Sequence, residues 1–331
     1  MKRRDFLGTS ALVGAGSLMQ RGQAEESAKT VETARGSFSL TGYRAAVYSP
    51  AVAEPFRLFQ ITDSHLALDD ARGEAWRDNS KRMAAAFQNN VHFEDGKTYP
   101  NPEIFEMTLA RAQQEKADFI ALTGDIFSFP SEAAVEFALD KLNAAGIPFG
   151  YVAGNHDWHY EGLPGSSKEL RDTWTARRLA PLYQGVHPLY HSQEHKGIRF
   201  VFIDNSIYEI LPEQLDFFRS EAATGNPLVL LMHIPLYIPG RGVGFGCGHP
   251  QWGAATDHIW ELERREIWRK EGHTETTFAF HKEVFSTPNL LLVLAGHIHQ
   301  ASLDVKQDIP QIVTAHNACG HFGVVDFKAL P

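Results

Sequence analysis

Ile147-Pro148-Phe149-Gly150-Tyr151-Val152-Ala153-Gly154-Asn155-His156-Asp157 is the stretch on which the fold turns. Its first seven residues form an apolar run of strand length bounded by glycine. The next four turn at Gly154 and set an amide oxygen, an imidazole and a carboxylate at the strand's carboxyl end. The same grammar recurs along the chain. Phe56 to Thr62 runs into Asp63-Ser64-His65, and Asp118 to Leu122 into Thr123-Gly124-Asp125. Leu228 to Met232 runs into His233, and Leu290 to Leu294 into Gly296-His297-Ile298-His299. Polar groups just past strand ends are what an α/β sheet gathers into one crevice.

The connecting segments agree with that class. Glu103 to Lys116 places Ile104, Phe105, Leu109 and Ala112 on one helical face, and Ser131 is a good N-cap for a helix reaching Ala145. Residues 72–88 also carry a helix-like pattern, and Phe38 to Tyr48 reads as an outer strand pair. The first half is therefore strand, helix, strand, helix, strand. The second half is richer in strands and irregular loops, and no repeat of fixed period appears.

Asp63 and His65 are two residues apart, so at a strand end both point to the same side. One offers a hard anionic oxygen and the other an imidazole nitrogen, a pair suited to a first-row divalent metal. His297 and His299 repeat the spacing. Asp125 can bridge two metals through its two oxygens, Asn155 adds a neutral oxygen, and His233 adds a third imidazole source. Together the seven side chains make two four-ligand sets sharing one bridge. Two cations about 3.5–4 Å apart can polarise a phosphoryl oxygen and activate water.

The order Asp-x-His, Gly-Asp, Gly-Asn-His-Asp, His and Gly-His-x-His resembles the calcineurin-like metallophosphoesterase superfamily, which includes the purple acid phosphatases. The match runs from about residue 55 to 300, with all five motifs in family order. The resemblance implies an α/β fold: a four-layer α/β/β/α sandwich of two mixed β-sheets flanked by helices. By it, Asp63, His65 and His299 hold one metal, Asn155, His233 and His297 the other, and Asp125 bridges them. It implies two divalent or mixed-valence ions of iron, manganese or zinc. It also implies in-line attack on phosphorus by metal-bound hydroxide, with His156 protonating the leaving oxygen and Asp157 orienting His156. One departure is visible: where purple acid phosphatases carry a tyrosine ligand, this chain has Ser128, so a tyrosinate bond to iron is not expected.

Bulk properties bound the rest. The 331 residues carry a formal net charge of -9, which argues against a general nucleic-acid binder. Lys2-Arg3-Arg4-Asp5-Phe6-Leu7, a short uncharged run and Gly22-Gln23-Ala24 read as a twin-arginine export signal over residues 1–24. A linker over 25–37 and a single catalytic domain over 38–331 then follow, giving a periplasmic or secreted protein whose partners are the export machinery and a small phosphoester. No stretch is long enough for stable membrane insertion. Cys247 and Cys319 lie outside any CxxC pattern, and two free cysteines are favoured over a disulfide. In the loops, Arg241 is a candidate phosphate contact, and Trp158, His159 and Tyr160 are candidates to line the cleft. Asp204 ends a strand but is read as structural. Two rival functions stand beside the phosphoesterase. A metal-dependent amidohydrolase would begin with its histidine pair, whereas here Asp-x-His comes first. A secreted binding protein for a phosphate-bearing ligand would not need a proton donor at His156.

Overall fold

Phe119–Thr123 and Leu290–Ala295 are buried at every position, as strands covered on both faces must be. They belong to two six-stranded sheets of a computed structural model that describes residues 36–330 apart from 89 and 268. The expected export signal and the linker up to residue 35 lie outside the described residues.

In chain order the strands are β1 (Ser37–Thr41), β2 (Arg44–Ser49), β3 (Phe56–Ile61), β4 (Phe119–Thr123) and β5 (Phe149–Val152). Then come β6 (Tyr190–His195), β7 (Ile198–Ile203), β8 (Leu228–Leu231), β9 (Leu290–Ala295), β10 (Ser302–Lys306), β11 (Ile309–Val313) and β12 (Gly323–Ala329). One sheet has the order β1-β2-β12-β3-β4-β5 and the other β10-β11-β9-β8-β7-β6. Both are mixed. β3, β4 and β5 run parallel, while β12 lies parallel to β2 and antiparallel to β3. β7, β8, β9 and β11 are parallel, with antiparallel β6 and β10 at the edges.

The helices are α1 (Arg77–Ala85), α2 (Asn101–Gln114), α3 (Glu132–Ala145), α4 (Ser167–Trp174), α5 (Pro212–Ala223), α6 (Ile259–Leu262) and α7 (Glu275–Val284). Strand alternation divides the core into layers. Leu58, Phe119, Phe200, Phe202 and Leu292 fill the space between the sheets. Their neighbours Phe59, Ile61, Ile120 and Leu122 face outward onto Phe105 and Leu109 of α2 and Ala138 and Leu142 of α3. On the other side Val201, Ile203 and Leu230 meet Leu215 and Phe218 of α5 and Phe280 and Val284 of α7. Each such buried Leu or Phe is worth about 1.5–3 kcal/mol relative to exposure. The architecture is the expected α/β/β/α sandwich.

Element boundaries follow local chemistry. Ser131 caps α3 by accepting from the Ala134 amide at 3.4 Å, and Gly146, at φ 68°, ends it. α2 starts two residues before the expected Glu103, because Pro102 fits the first turn, where no N–H is needed. The structure adds two edge strands, β6 and β10: β6 is polar, and β10 alternates in burial with Leu303 and Val305 on its exposed side.

Candidate metal centre

The parallel register pairs Leu58 with Phe119 and Ile120 with Phe149. The residues after β3, β4 and β5 therefore emerge together, bringing Asp63 and His65, Asp125, and Asn155 to one end of the first sheet. The Gly296 amide donates to the His233 carbonyl at 2.9 Å, which ties the ends of β8 and β9 in the same way. Five of these residues leave their strands with left-handed backbone: Asp63 (φ 55°), His65 (48°), Asp125 (50°), His297 (71°) and His299 (58°). Such conformations cost non-glycine residues about 1–3 kcal/mol each and concentrate at functional sites.

The side chains form two adjoining groups. In the first, His65 Nε2 lies 3.1 Å from His299 Nε2, and His299 Nε2 lies 3.4 Å from Asp63 Oδ1. In the second, His233 Nε2 lies 3.2 Å from Asp125 Oδ2 and 3.3 Å from His297 Nδ1. Asn155 Oδ1 joins it at 3.1 Å from His297 Nδ1. The His297 amide donates to Asp63 Oδ2 at 3.0 Å and so links the two groups. Potential ligand atoms of Asp63, His65 and His299 all lie within 4.8 Å of one another, as do those of Asp125, His233 and His297.

This donor set fits cations. Asp63 Oδ1 is fully buried and makes no hydrogen bond, the His299 ring standing off at 3.4 Å, a costly state for an ionised oxygen unless a positive charge meets it. Burial works against ionised Asp125, yet the His233 and His156 imidazoles beside it hold its carboxyl well below the usual range. Burial likewise opposes charge on His233, but Asp125 and Asp63 outweigh it and push the imidazole up to about 10. A proton there stands in for the positive charge the carboxylates call for. His297 is driven down to about 3, chiefly by burial and then by His233. Two of the remaining ring atoms have partners: His233 Nδ1 donates to the Thr123 carbonyl at 2.9 Å, and His297 Nε2 meets the Tyr208 hydroxyl at 2.6 Å.

His156 stands at the mouth. Its amide donates to Asp125 Oδ1 at 2.8 Å, and its ring meets that of His65 edge-on at 5.1 Å. The expected contact between Asp157 and His156 is absent. Asp157 is fully buried, accepting from the Phe127 amide at 2.8 Å and the Gly154 amide at 2.7 Å. Residues 154–157 curl back, so Asp157 braces the backbone beneath the motif, and burial followed by the Asp125 charge raises its carboxyl to about 7. Besides Asp125, a second carboxylate lies near His156: Glu263, with Oε1 3.7 Å from His156 Nε2.

Other expectations resolve individually. Ser128 donates to the His65 carbonyl at 3.0 Å and pins the first ligand turn. Arg241 is paired with Asp304 at 3.0 Å. Trp158, His159 and Tyr160 are buried and line no cleft: they bond Ser206, the Glu263 carbonyl and the Pro130 carbonyl. Asp204 is a buried acceptor for the Ser206 amide and hydroxyl. Both cysteines are unpaired, Cys247 buried and Cys319 half-buried. The sequence reading missed Phe87, Tyr208 and Glu263. Phe87 stacks on His65 at 4.2 Å. Tyr208 and Glu263 sit in irregular segments, where no periodicity marks them, and Phe87 lies just past the end of α1 at Ala85, within the stretch whose pattern extends the helix to 88.

The Calcineurin-like phosphoesterase family matches residues 56–301, a span that contains all five motifs. The chain is 26% identical over 278 residues to a probable cyclic nucleotide phosphodiesterase of Psychrobacter sp. (strain PRwf-1), covering 76% of this chain and 73% of the relative. A second probable cyclic nucleotide phosphodiesterase, from Psychrobacter arcticus, is 22% identical over 273 residues, with 80% and 81% covered. A dimetal phosphatase from Danio rerio shares the fold, with a TM-score of 0.50 at 12% identity over 81% of this chain and 91% of that one. With the family span enclosing both donor groups, the chain belongs to the calcineurin-like phosphoesterases and is a metal-dependent phosphoric ester hydrolase.

Proposed function

We propose that this enzyme hydrolyses phosphodiesters, with cyclic nucleotides as the first class to examine. The observation that carries the hydrolytic reading is the pair of adjoining donor groups, each with a buried carboxylate and two imidazoles. Asp63, His65 and His299 are assigned to one cation, Asn155, His233 and His297 to the other, and Asp125 to a position between them. Bound there, two cations supply Lewis acidity to the phosphoryl group and make water nucleophilic near neutral pH. The chain's own residues do the rest. Tyr208 and the Thr123 carbonyl hold His297 and His233 in orientation. His156, with 17% of its side chain exposed, is placed to give a proton to the departing oxygen. Arg241 is paired with Asp304, so its charge is already partly met. That charge complement suits a singly charged diester better than a doubly charged monoester, and the names of the two Psychrobacter relatives point the same way.

The test couples metal analysis to a panel of bis(p-nitrophenyl) phosphate, 3′,5′-cyclic nucleotides and p-nitrophenyl phosphate. Wild-type protein is expected to hold two metals and to favour the diesters. Asp125→Ala is expected to lose metal and activity together, the latter by on the order of 100-fold or more. Two bound metals with turnover of monoesters alone would reject the diester assignment.

The proposal extends to location. The Arg3-Arg4 pair supports twin-arginine export of a catalytic domain spanning 38–331. Replacing both arginines by lysine is expected to retain the enzyme inside spheroplasts, and unchanged release would exclude that route.

A further inference from the structure

The segment that closes over the second donor group, 259–265, belongs to none of the five motifs, yet it places one side chain against two functional residues. Glu263 follows α6, and its amide donates to the Ile259 carbonyl at 2.9 Å. Its own carbonyl faces His159 Nε2 at 2.7 Å, so the backbone is held from both sides. The side chain is directed inward. Oε1 accepts from Asn155 Nδ2 at 2.8 Å and lies 3.7 Å from His156 Nε2. Oε2 pairs with the buried Arg265 guanidinium at 2.6 Å, and that guanidinium also lies over the Tyr208 ring at 6.0 Å.

We propose that Glu263 is a positioning residue of the hydrolytic site, turning Asn155 toward the metal position and setting a negative charge beside His156. The inference rests on the assignment of Asn155 and His156 given above. Its physical basis is that an ionised carboxylate only accepts hydrogen bonds. The Asn155 atom facing Glu263 must therefore be the Nδ2 donor, which leaves Oδ1 facing His297 Nδ1 at 3.1 Å. An asparagine without that acceptor could turn its amide and present N–H groups to the cation. At 3.7 Å the contact with His156 is an ion-pair distance and not a hydrogen bond, so Glu263 acts on the ring through charge, beside the nitrogen placed to donate to the leaving oxygen. Arg265 supplies the opposing charge that makes burial of Glu263 tolerable. Through Glu263 to Asn155 and through Tyr208 to His297, this pair reaches two ligands of the same donor group.

Glu263→Ala and Glu263→Gln separate the two roles, with Asn155→Ala as reference. Metal stoichiometry is measured on the dialysed proteins by mass spectrometry, and kcat and KM on diesters that differ only in leaving group. Glu263→Ala is expected to lose one of two metals, as Asn155→Ala does. Glu263→Gln keeps an oxygen that can accept from Asn155 and is expected to keep both metals. Its loss in kcat should be at least about tenfold greater for an alkoxide than for a nitrophenolate leaving group, because proton donation matters most for poor leaving groups. Loss of the same size for both leaving groups, or full metal in Glu263→Ala beside a depleted Asn155→Ala, overturns the proposal while leaving the site assignment standing. Full metal in Asn155→Ala removes the ligand assignment and the proposal with it.

Discussion

Gly154 has no side chain because Asp125 occupies the space. A Cβ built there would lie 2.2 Å from Asp125 Oδ1 and 2.3 Å from its amide nitrogen, and one on Gly296 would lie 1.9 Å from Thr62 Oγ1. The glycines of the Gly-Asn-His-Asp and Gly-His-x-His motifs are thus close-approach positions, whereas the sequence suggested only a turn at Gly154. Gly154→Ala is expected to displace Asp125. The variant should lose bound metal and most turnover, and about 1–3 kcal/mol of stability from overpacking. Metal content and urea unfolding of the purified variant check this, and wild-type metal content with wild-type kcat would show that the approach is not needed. At this scale the identity of the donors was readable, because Asp, His and Asn recur at strand ends in a fixed order. Their partners were not. Asp157 stands beside His156 in sequence, but the turn it closes sends its carboxylate to two backbone amides. The charges near His156 come instead from Asp125 and from Glu263, the latter more than a hundred residues later.

Elements with strong periodicity were legible, and elements defined by packing or pairing were not. α3 could be placed from Ser131, its apolar face and Gly146 alone, since cap, stripe and stop all act within one segment. β6 and β10 exist because a neighbouring strand offers hydrogen bonds; β6 carries little apolar signal, and β10 is only five residues long. The glycine-rich segment after Pro239 shows the same limit. Its Arg241 is a candidate phosphate contact by sequence, but it also lies over the Phe245 ring at 4.9 Å, besides its bond to Asp304 on β10. Arg241→Ala should therefore change kcat/KM on a diester by less than about threefold, and stability by about 1 kcal/mol for a partly exposed pair. Steady-state assays and thermal unfolding decide it. A large rise in KM with unchanged melting would restore Arg241 to the substrate. Ser131→Ala tests the element from the other side: loss of the cap should cost about 1 kcal/mol while leaving metal content at the wild-type value.

Across the whole molecule, the two sheets meet at the site. Asp63, His65, Asp125 and Asn155 follow strands of one sheet, and His233, His297 and His299 follow strands of the other. Cations held there join the sheets, so chelation is expected to lower the melting temperature of wild-type protein and to have little effect on Asp125→Ala. A second contribution is independent of metal. His191 on β6 is buried, stacked on Phe202 at 4.5 Å, with Nδ1 toward the His187 carbonyl and Nε2 without a partner. Burial dominates its environment and lowers its pKa to about 4, against about 6.5 in an unfolded chain. The fold therefore keeps the imidazole neutral. Its contribution to stability is fully present above pH ~6.5 and is lost as pH falls toward ~4, because the unfolded chain takes up the proton first. The difference corresponds to roughly 3 kcal/mol. His191→Phe removes the titrating group while keeping an aromatic ring to stack on Phe202. Compared with wild type at the same metal loading, the variant should lose less stability between pH 7 and pH 4. The gap should open below about pH 6.5, where urea unfolding at fixed ionic strength can follow it. Parallel stability curves for the two proteins over that interval would show that His191 takes up its proton in the folded state as readily as in the unfolded one.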